Sequence, residues 1–281
     1  MSWASMNKNY SVLITGCSSG IGRYVATSLK KRGYRVFATV RKSEDVTELK
    51  AQGLESLLLD LADSASIHTA VDAVLEQTGG ELYALFNNGA YGQPGAVEDL
   101  SRDNLREQFE VNLFGTHELT NRVIPVMRKQ GYGRILQNSS VLGFVALRYR
   151  GAYNASKHAL EGLTDTLRME LKNTGIYVSL IEPGPIESNF RENSFAVYKR
   201  TIDREKSFHR LFYKAMEQRL QTEGPVVPFT LGPEAVYRKV LHALESRHPK
   251  ARYYVTFPTY LFGYLKRFLP TRLLDSILSR I

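Results

Sequence analysis

The stretch Thr15-Gly16-Cys17-Ser18-Ser19-Gly20-Ile21-Gly22 decides the fold. It follows a short apolar run at 10–14 and precedes residues with helical spacing, so it forms a turn between a strand and a helix. Glycines there let the backbone approach a pyrophosphate, and the helix N-terminus supplies amide donors and a positive dipole. Such a turn is often only a turn, but neighbouring hydroxyls favour phosphate contact. The predicted cofactor contacts are Gly16, Ser18, Ser19, Gly20 and Ile21.

Strands and helices alternate along the rest of the chain. Runs rich in apolar and β-branched residues predict strands at 35–40, 57–59, 82–86, 134–138, 177–181 and 252–256. Helical spacing predicts helices at 44–52, 64–78 with a serine cap at Ser64, 102–128 and 153–172. Strands separated by helices need crossover connections, which give a parallel sheet covered on both faces. The predicted fold is therefore α/β, a doubly wound Rossmann-type parallel sheet of about seven strands with helices on both faces, in a single domain over 1–281.

The segment 186–228 interrupts this alternation and mixes aromatic with charged residues. An insertion after the carboxyl end of a strand lies where ligands bind in open α/β sheets. We interpret it as a mobile substrate lid; the alternative is a structural pair of helices with its own small core.

The C-terminal segment 258–281 combines apolar residues with interspersed cations, and Pro270 is expected to divide it into two helices. Such basic amphipathic helices can pack on the protein and cover a substrate cleft, pair subunits, or lie on an anionic membrane.

Composition and charge exclude several classes of protein. The formal net charge is +9, but the cations are scattered and no zinc-finger spacing or RNA-binding aromatic motif is present, so no nucleic-acid function is expected. One cysteine excludes an internal disulfide framework, and the six histidines lack metal-ligand spacing, so no metal site is expected. Neither a secretory leader nor an apolar run of about eighteen residues is recognisable, and the polar residues 1–9 are expected to fray. The expected location is cytoplasmic, with peripheral membrane contact as the alternative.

Tyr153 and Lys157 lie one helical turn apart on the same face of a predicted helix. A phenol has an ordinary pKa of about 10, and a nearby ammonium favours its ionised form. Ser140, at the end of an apolar run, could hydrogen-bond the same reacting oxygen. The three residues therefore predict proton exchange with a substrate near neutral pH.

The end of the second predicted strand bears on the choice of cofactor. Proteins that prefer the unphosphorylated nicotinamide cofactor carry an acid there, but this chain has Arg41 and Lys42. Two cations attract a 2′-phosphate, so NADP(H) is predicted; the alternative is two solvated surface cations. Asp60 could accept from the adenine amino group, with the Leu61 amide beside it, or could cap the helix that follows.

Taken together, these motifs resemble the short-chain dehydrogenase/reductase family. The resemblance extends from about 11 to 187 and is carried by Thr15-Gly16, Gly20-Ile21-Gly22, Asn87-Asn88-Gly89-Ala90, Asn112, Ser140, Tyr153, Lys157 and Pro183-Gly184. A narrower likeness to the hydroxysteroid and retinol dehydrogenase-like branch, with its bacterial aldehyde-reducing members, is carried by Val40-Arg41-Lys42, Ile181 to Ile186 and Leu231-Gly232-Pro233-Glu234. The family order Asn-Asn-Ala-Gly is changed here to Gly89-Ala90, for which we expect a minor local effect.

The resemblance implies roles for individual residues. Tyr153 would donate a proton to a carbonyl oxygen or take one from an alcohol. Lys157 would hold the nicotinamide ribose and lower the pKa of the phenol. Ser140 would polarise the substrate oxygen, and Asn112 would join a water relay from Lys157 to solvent. The remaining cofactor contacts would be Asn88 and Gly89 at a strand end, and Pro183, Gly184 and Ile186 along the nicotinamide.

The sequence therefore predicts an NADP(H)-dependent oxidoreductase that interconverts a carbonyl and an alcohol on a fairly apolar substrate, such as an aldehyde, a retinoid or a steroid-like ketone. By family likeness it would be a homo-oligomer, a dimer or a tetramer. The alternative is a non-catalytic NADP(H)-binding regulatory protein. Retention of all four predicted catalytic residues argues against that alternative.

Overall fold

The computed structural model describes residues 10–222, 224 and 227–281, so the fraying expected of residues 1–9 lies outside the described residues. Within them the strands are β1 (Ser11–Ile14), β2 (Arg35–Val40), β3 (Glu55–Leu58), β4 (Ala84–Asn87), β5 (Gly133–Asn138), β6 (Ile176–Glu182) and β7 (Arg252–Tyr254). They form one sheet in the order β3-β2-β1-β4-β5-β6-β7, and every neighbouring pair is parallel. The predicted doubly wound sheet is confirmed.

Helices cover both faces of the sheet. They are α1 (Gly20–Arg32), α2 (Ser43–Ala51), α3 (Ser64–Thr78), α4 (Arg102–Phe109), α5 (Thr116–Gln130), α6 (Gly151–Glu170), α7 (Phe190–Thr201), α8 (Arg210–Gln221), α9 (Glu234–Glu245), α10 (Phe257–Phe268) and α11 (Thr271–Leu278). Along β1 the side chains alternate between two cores. Val12 and Ile14 pack with residues of α1 and α9, and Leu13 packs with residues of α3 and α5.

The long helix predicted at 102–128 is interrupted. Between α4 and α5 the residues Glu110–Gly115 form a π-helical turn. This wider turn allows Gly115 to lie against Leu61, where an added Cβ would be 1.8 Å from the Leu61 carbonyl oxygen. Helical periodicity in the sequence does not distinguish a π-turn from α-helix, so the prediction of one continuous helix was wrong.

The predicted serine cap of α3 is also wrong. Asp63 is the N-cap, because its carboxylate accepts a hydrogen bond from the Ala65 amide at 2.9 Å. Ser64 is the first helical residue, and its hydroxyl donates to Glu118 on α5. The start of α3 at Ser64 was predicted correctly, but the carboxylate of Asp63, one position earlier, is the capping group.

The insertion after β6 contributes α7 and α8, which pack in a small cluster that they share with Ala96 and Leu100. Tyr198 and Tyr213 are almost fully buried in it, together with Ile202. The Tyr213 hydroxyl donates to Asp99 at 2.5 Å and accepts from the Ala96 amide at 2.8 Å, so α8 is fastened to the turn at 97–99. A role as a mobile lid and a purely structural role for this pair of helices both remain predictions.

The C-terminal segment forms α10 and α11, with the break at Pro270 as predicted. Leu274 and Leu278 of α11 pack against Leu142, Val145 and Tyr153, so the segment packs on the protein. Among the described residues no helix has the length and apolar character needed to cross a bilayer.

Candidate active site

The predicted site residues meet at the carboxyl edge of the sheet. Strand order reverses between β1 and β4, and in open α/β sheets ligands bind in the crevice at such a point. Gly16 follows β1, Asn88 follows β4, Ser140 follows β5 and Pro183 follows β6. The topology thus brings together residues that are up to 167 positions apart along the chain, Gly16 and Pro183.

The glycine loop after β1 is held open by close backbone contacts. Gly16 has a φ of +69°, and a Cβ on Gly22 would lie 2.2 Å from the Gly16 carbonyl oxygen. Thr15 anchors the loop to the end of β4, because its hydroxyl oxygen accepts from the amides of Asn88 at 2.9 Å and Gly89 at 2.8 Å. Only glycine leaves this cradle free of side chains, as a diphosphate site requires.

The hydroxyls at the mouth of this loop are available to a ligand. Ser18 is exposed, and Ser19 is the N-cap of α1 but makes no side-chain capping bond. In the described part of the chain neither hydroxyl has a hydrogen-bond partner. Gly20 follows with a φ of +56°, and Ile21 begins the first turn of α1, where the amides point outward. The residues present therefore fit a phosphate group.

The changed order Gly89-Ala90 has a local explanation. Neither residue has a positive φ. A Cβ on Gly89 would lie 3.1 Å from the Thr15 hydroxyl and 3.2 Å from the Leu61 side chain, so glycine in this place keeps the Thr15 anchor uncrowded. Ala90 is half-buried and has no such restriction. The swap thus leaves the loop contacts in place.

The far side of the crevice carries the residues predicted for the adenosine end. Arg41 is exposed directly after β2, and no described residue forms an ion pair or side-chain hydrogen bond with it. The Asp60 carboxylate accepts from the Ala62 amide at 2.9 Å. Asp60 therefore closes a local turn and does not cap α3, so that alternative is wrong. The Leu61 amide has no partner among the described residues, which leaves it free for a ligand.

Tyr153 and Ser140 face each other at the centre of the site. Tyr153, in the first turn of α6, is 8% exposed. Ser140 begins the turn 141–143, where its hydroxyl oxygen accepts from the Leu142 amide at 3.1 Å. Ser139 points the other way and donates to Glu161 at 2.7 Å. Of the two adjacent serines, Ser140 is thus the one beside the phenol, as the sequence interval predicted.

Lys157 connects the phenol to the glycine loop through two asparagines. Its Nζ lies 5.8 Å from the centre of the Tyr153 ring and donates to the Asn138 carbonyl at 2.7 Å. The Asn138 side-chain amide donates to Asn88 at 3.0 Å, and the Asn88 amide donates to the Thr15 carbonyl at 3.0 Å. A continuous hydrogen-bonded path therefore links Lys157 to the turn after β1.

Burial dominates the proton affinities of the pair. It raises the pKa of the Tyr153 phenol to about 12, against smaller lowering contributions from the Ser140 hydroxyl and the Arg150 guanidinium. It lowers the pKa of Lys157 to about 8, against the attraction of the Glu161 carboxylate. The expected lowering of the phenol pKa by Lys157 is thus not found in this structure. The ammonium is turned to the Asn138 carbonyl, and desolvation outweighs its charge.

Asn112 lies in the π-helical turn and is 1% exposed. Its amide donates to the Tyr91 carbonyl at 3.0 Å and to the Ser156 hydroxyl at 3.1 Å, and its oxygen accepts from the Tyr91 amide at 3.2 Å. Both amide hydrogens are thereby used. The side chain braces the loop after β4 against α6, one residue before Lys157; its part in a water relay remains a prediction.

The residues predicted along the nicotinamide follow β6. The Pro183 carbonyl accepts from the Val141 amide at 2.8 Å, which ties this segment to the turn that carries Ser140. Gly184 lies so close to α10 that a Cβ would be 2.1 Å from the Thr256 hydroxyl. Ile186 pairs with Leu231 in a parallel bridge. The three backbone segments therefore form one wall of the crevice.

A buried ionic network behind the site was not anticipated from the sequence. Arg252 of β7 donates to Glu161 and Glu182 at 2.7 Å each and to Asp165 at 2.6 Å. Glu182 is fully buried, and one of its oxygens has no partner among the described residues. Burial and the neighbouring Glu161 raise the pKa of Glu182 well above its ordinary value. The one indication of this network in the sequence is the carboxylate of Glu182 at the end of a strand rich in apolar residues.

An apolar cover surrounds the Tyr153 ring. The Phe190 ring, at the start of α7, makes an edge contact at 5.4 Å between ring centres. Leu142 and Val145 follow Ser140, and α11 contributes Leu274, so both late segments of the chain contribute to the cover. In the described residues no group of three or more histidine, cysteine or carboxylate side chains is arranged to hold a metal ion.

The chain is similar to several known proteins. It is 44% identical over 269 residues, 96% of this chain and 94% of the relative, to the uncharacterized oxidoreductase YbbO of Escherichia coli. It is 34% identical to 17-beta-hydroxysteroid dehydrogenase type 1 of Homo sapiens, over 92% of this chain and 78% of the relative. It is 32% identical to the NADPH-dependent 3-dehydrocapnine reductase of Ornithobacterium rhinotracheale, over 94% of each. The predicted likeness to hydroxysteroid dehydrogenases is confirmed.

A solved structure and a family model agree with these relatives. A short-chain dehydrogenase/reductase of Burkholderia phymatum in complex with NAD superposes with a TM-score of 0.77 at 26% identity, over 97% of this chain and 95% of that one. The family model described as short chain dehydrogenase matches residues 10–199, which include every predicted catalytic residue. The chain therefore belongs to the short-chain dehydrogenase family of oxidoreductases.

Proposed function

We propose that this chain is an NADP(H)-dependent oxidoreductase that interconverts a carbonyl and an alcohol on a fairly apolar substrate. The observation that carries the proposal is the placement of the Tyr153 phenol. It is buried under apolar side chains, lies beside Ser140, and is one helical turn from a lysine that is hydrogen-bonded towards the glycine loop. Each of these contacts suits proton exchange with a carbonyl oxygen in a site that excludes water.

NADP(H) fits the residues around the crevice. The side-chain-free cradle at Gly16 and Gly22 and the hydroxyls of Ser18 and Ser19 suit the diphosphate. Exposed Arg41 without an ion-pair partner among the described residues suits a 2′-phosphate. A similar reductase is named NADPH-dependent, whereas a similar structure contains NAD, so the proposal rests on the cations after β2. The cofactor, when bound, supplies or accepts the hydride.

In carbonyl reduction Tyr153 donates the proton. With a pKa of about 12 the phenol is protonated throughout the neutral range and is available as an acid. The Ser140 oxygen already accepts from Leu142, so its hydrogen is free to donate to the same substrate oxygen. Lys157, whose ammonium lies 5.8 Å from the ring centre, would attract the phenolate that remains, although burial outweighs this attraction in the pKa of the phenol. In alcohol oxidation each of these steps is reversed.

An apolar substrate is inferred from the cover around the phenol. The cluster that packs around the Tyr153 ring consists of aliphatic and aromatic side chains, including Phe190 of the proposed lid at 186–228 and Leu274 of α11. Aldehydes, retinoids and steroid-like ketones all suit apolar surroundings of this kind, and one similar protein is named for a hydroxysteroid. The catalyst would be the single domain 1–281. It would act in the cytoplasm as a homo-oligomer, a dimer or a tetramer.

The test compares the wild type with Tyr153→Phe. Oxidation of NADPH is followed by absorbance with a panel of aldehydes and ketones, and cofactor binding by fluorescence titration. Removing the hydroxyl should lower kcat/KM about 10³-fold with unchanged NADPH affinity. Tyr24→Phe, an exposed tyrosine on α1, is the control and should match the wild type. Tight NADPH binding without turnover of any carbonyl or alcohol would refute catalysis and favour a regulatory protein.

A further inference from the structure

Helix α10 is apolar on two opposite sides. Its inner side contributes Phe262 and Leu265, which pack with the cluster around Tyr153. Its outer side carries large apolar residues at helical spacing, which we call the α10 stripe. The stripe consists of Phe257, Tyr260, Leu261, Tyr264 and Phe268, with exposed fractions between 40% and 79%. A contiguous apolar face of this kind marks a surface that is covered by a partner or a membrane.

A basic cavity of 230 Å³ adjoins the stripe. It lies between α9, β7 and α10 and is lined by Lys239, Lys250, Arg252, Tyr253, Tyr254, Tyr260, Gly263, Tyr264 and Arg267. Tyr260 and Tyr264 belong to both the stripe and the cavity. The Lys239 ammonium lies 3.5 Å from the Tyr260 hydroxyl. Cations and phenol hydroxyls therefore surround one small space directly behind the stripe.

The charges of the cavity are unbalanced. Arg252 is committed to three carboxylates of the buried network. Lys239, Lys250 and Arg267 form no ion pair with any described residue, and no carboxylate lines the cavity. Three uncompensated cations beside phenol donors attract an anion. The volume is below that of sites for drug-sized ligands and suits a single phosphate group.

We propose that the α10 stripe lies in the surface of an anionic phospholipid bilayer and that the basic cavity takes the phosphate group of one lipid. Tyrosine and phenylalanine are suited to the interface, where rings meet acyl chains and hydroxyls meet head groups. Cations immediately beside such a stripe bind anionic lipid. Anchored in this way, the cover of the Tyr153 site would face the compartment in which apolar carbonyl compounds concentrate. This last consequence rests on the proposed function, but lipid binding does not.

Flotation with vesicles tests the proposal directly. The full chain is mixed with phosphatidylcholine vesicles, with or without phosphatidylglycerol, and the bound fraction is measured. The wild type should bind the anionic vesicles. Lys239→Gln with Arg267→Gln should weaken that binding about thirty-fold, since each cation near an anionic surface contributes roughly a factor of five. Arg128→Gln with Lys129→Gln, which removes the same charge from the end of α5, should leave it unchanged.

A second pair of variants tests the α10 stripe. Tyr264→Ser with Phe268→Ser should abolish flotation, whereas Met169→Ser, an equally exposed residue of α6, should not affect it. Equal loss with the control variants, or no flotation of the wild type, would overturn the proposal. So would protection against heat by inorganic phosphate without vesicle binding, which would assign the cavity to a free anion. A stripe variant that only converts an oligomer to a monomer would assign the stripe to a second copy of the chain and would overturn it too.

Turnover of a short water-soluble aldehyde is measured in every variant. It should equal the wild-type value, because none of these residues lies in the site around Tyr153. Lost flotation with full turnover therefore reports on the surface alone. Absence of turnover in all variants and in the wild type would refute the proposed function and leave the flotation result standing.

Discussion

Tyr153 and Lys157 are each pushed by burial towards their neutral forms. The pKa of the phenol rises to about 12 and that of the ammonium falls to about 8. Near neutral pH the site therefore contains a neutral phenol beside an ammonium that loses its proton when the pH rises above about 8. This arrangement favours proton donation, and the cation is needed only once the phenol has lost its proton.

The pH dependence of reduction follows from Lys157. Because its pKa is about 8, we expect kcat/KM for carbonyl reduction to be level near pH 6 to 7 and to fall about ten-fold per pH unit above about pH 8. Lys157→Arg keeps a cation to much higher pH, so the remaining activity of that variant should show no fall in this range. Steady-state rates between pH 6 and 10 provide the measurement. An unchanged alkaline limb in the variant would contradict the assignment.

Arg41 is expected to select the phosphorylated cofactor. Arg41→Ala removes one charge-assisted hydrogen bond, so NADPH affinity should fall about thirty-fold while NADH affinity changes less than about two-fold. Lys50→Ala, an exposed lysine of α2, is the control. Fluorescence titration with both cofactors measures the difference, and equal weakening of the two would argue against a phosphate contact.

At the scale of elements, local patterns predicted most of the sheet but failed at two places in the helices, the cap of α3 and the turn before α5. The strand Arg35–Val40 was predicted to the residue because β-branched and aromatic residues fill it between a glycine and two cations. The π-turn at Glu110–Gly115 was missed, since nothing in its residue types departs from helical spacing. The turn brings Gly115 against the Leu61 carbonyl, a contact between distant parts of the chain that local patterns do not reveal.

The residues of the candidate site likewise fall into those that local sequence reveals and those that only the tertiary structure brings together. Tyr153 and Lys157 belong to one helix, and the glycine turn is one short segment, so their spacing alone revealed them. The network of Glu161, Glu182 and Arg252 joins α6, β6 and β7, and only the tertiary structure shows that these side chains meet. The pKa of the phenol was expected to fall because the sequence shows a nearby lysine but does not show burial.

Helix α11 should matter for both stability and catalysis. Leu274 is 9% exposed and packs in the cluster that covers Tyr153, so Leu274→Ala should lower the free energy of unfolding by about 2 kcal/mol and reduce kcat/KM for apolar substrates. Leu273→Ala, at a neighbouring position that is 50% exposed, should change stability by less than about 0.5 kcal/mol. Denaturant unfolding and turnover provide the two readouts. Equal effects of both variants would show that α11 is not part of the cover.

At the scale of the whole molecule, the buried network couples stability to pH. The raised pKa of Glu182 means that the folded protein retains a proton that the unfolded chain releases above about 4.5. The contribution of Glu182 to stability is therefore fully present below that pH and is lost as the pH rises towards the folded-state value. Arg252 and Glu161 belong to the same network, because Arg252 forms ion pairs with both Glu161 and Glu182.

Glu182→Gln should remove this dependence. The amide keeps an acceptor for Arg252 and supplies a permanent donor towards Glu161, so the unfolding temperature at pH 8 should rise about 3 °C above the wild type, with little difference at pH 4.5. Glu170→Gln, an exposed carboxylate at the end of α6, is the control and should show no such trend. Calorimetry at both pH values measures it, and a variant less stable at pH 8 would show that the ionised carboxylate stabilises the fold.

The wide turn at Glu110–Gly115 also constrains the length of the chain. Each residue of a helix advances the direction of its side chain by about 100°. Deleting a single residue there would rotate the buried side chains of Leu119, Val123 and Met127 by about 100° out of their present packing. Proteins that share this architecture should therefore tolerate substitutions in the turn more readily than gaps, and an alignment of them would be expected to run through it unbroken.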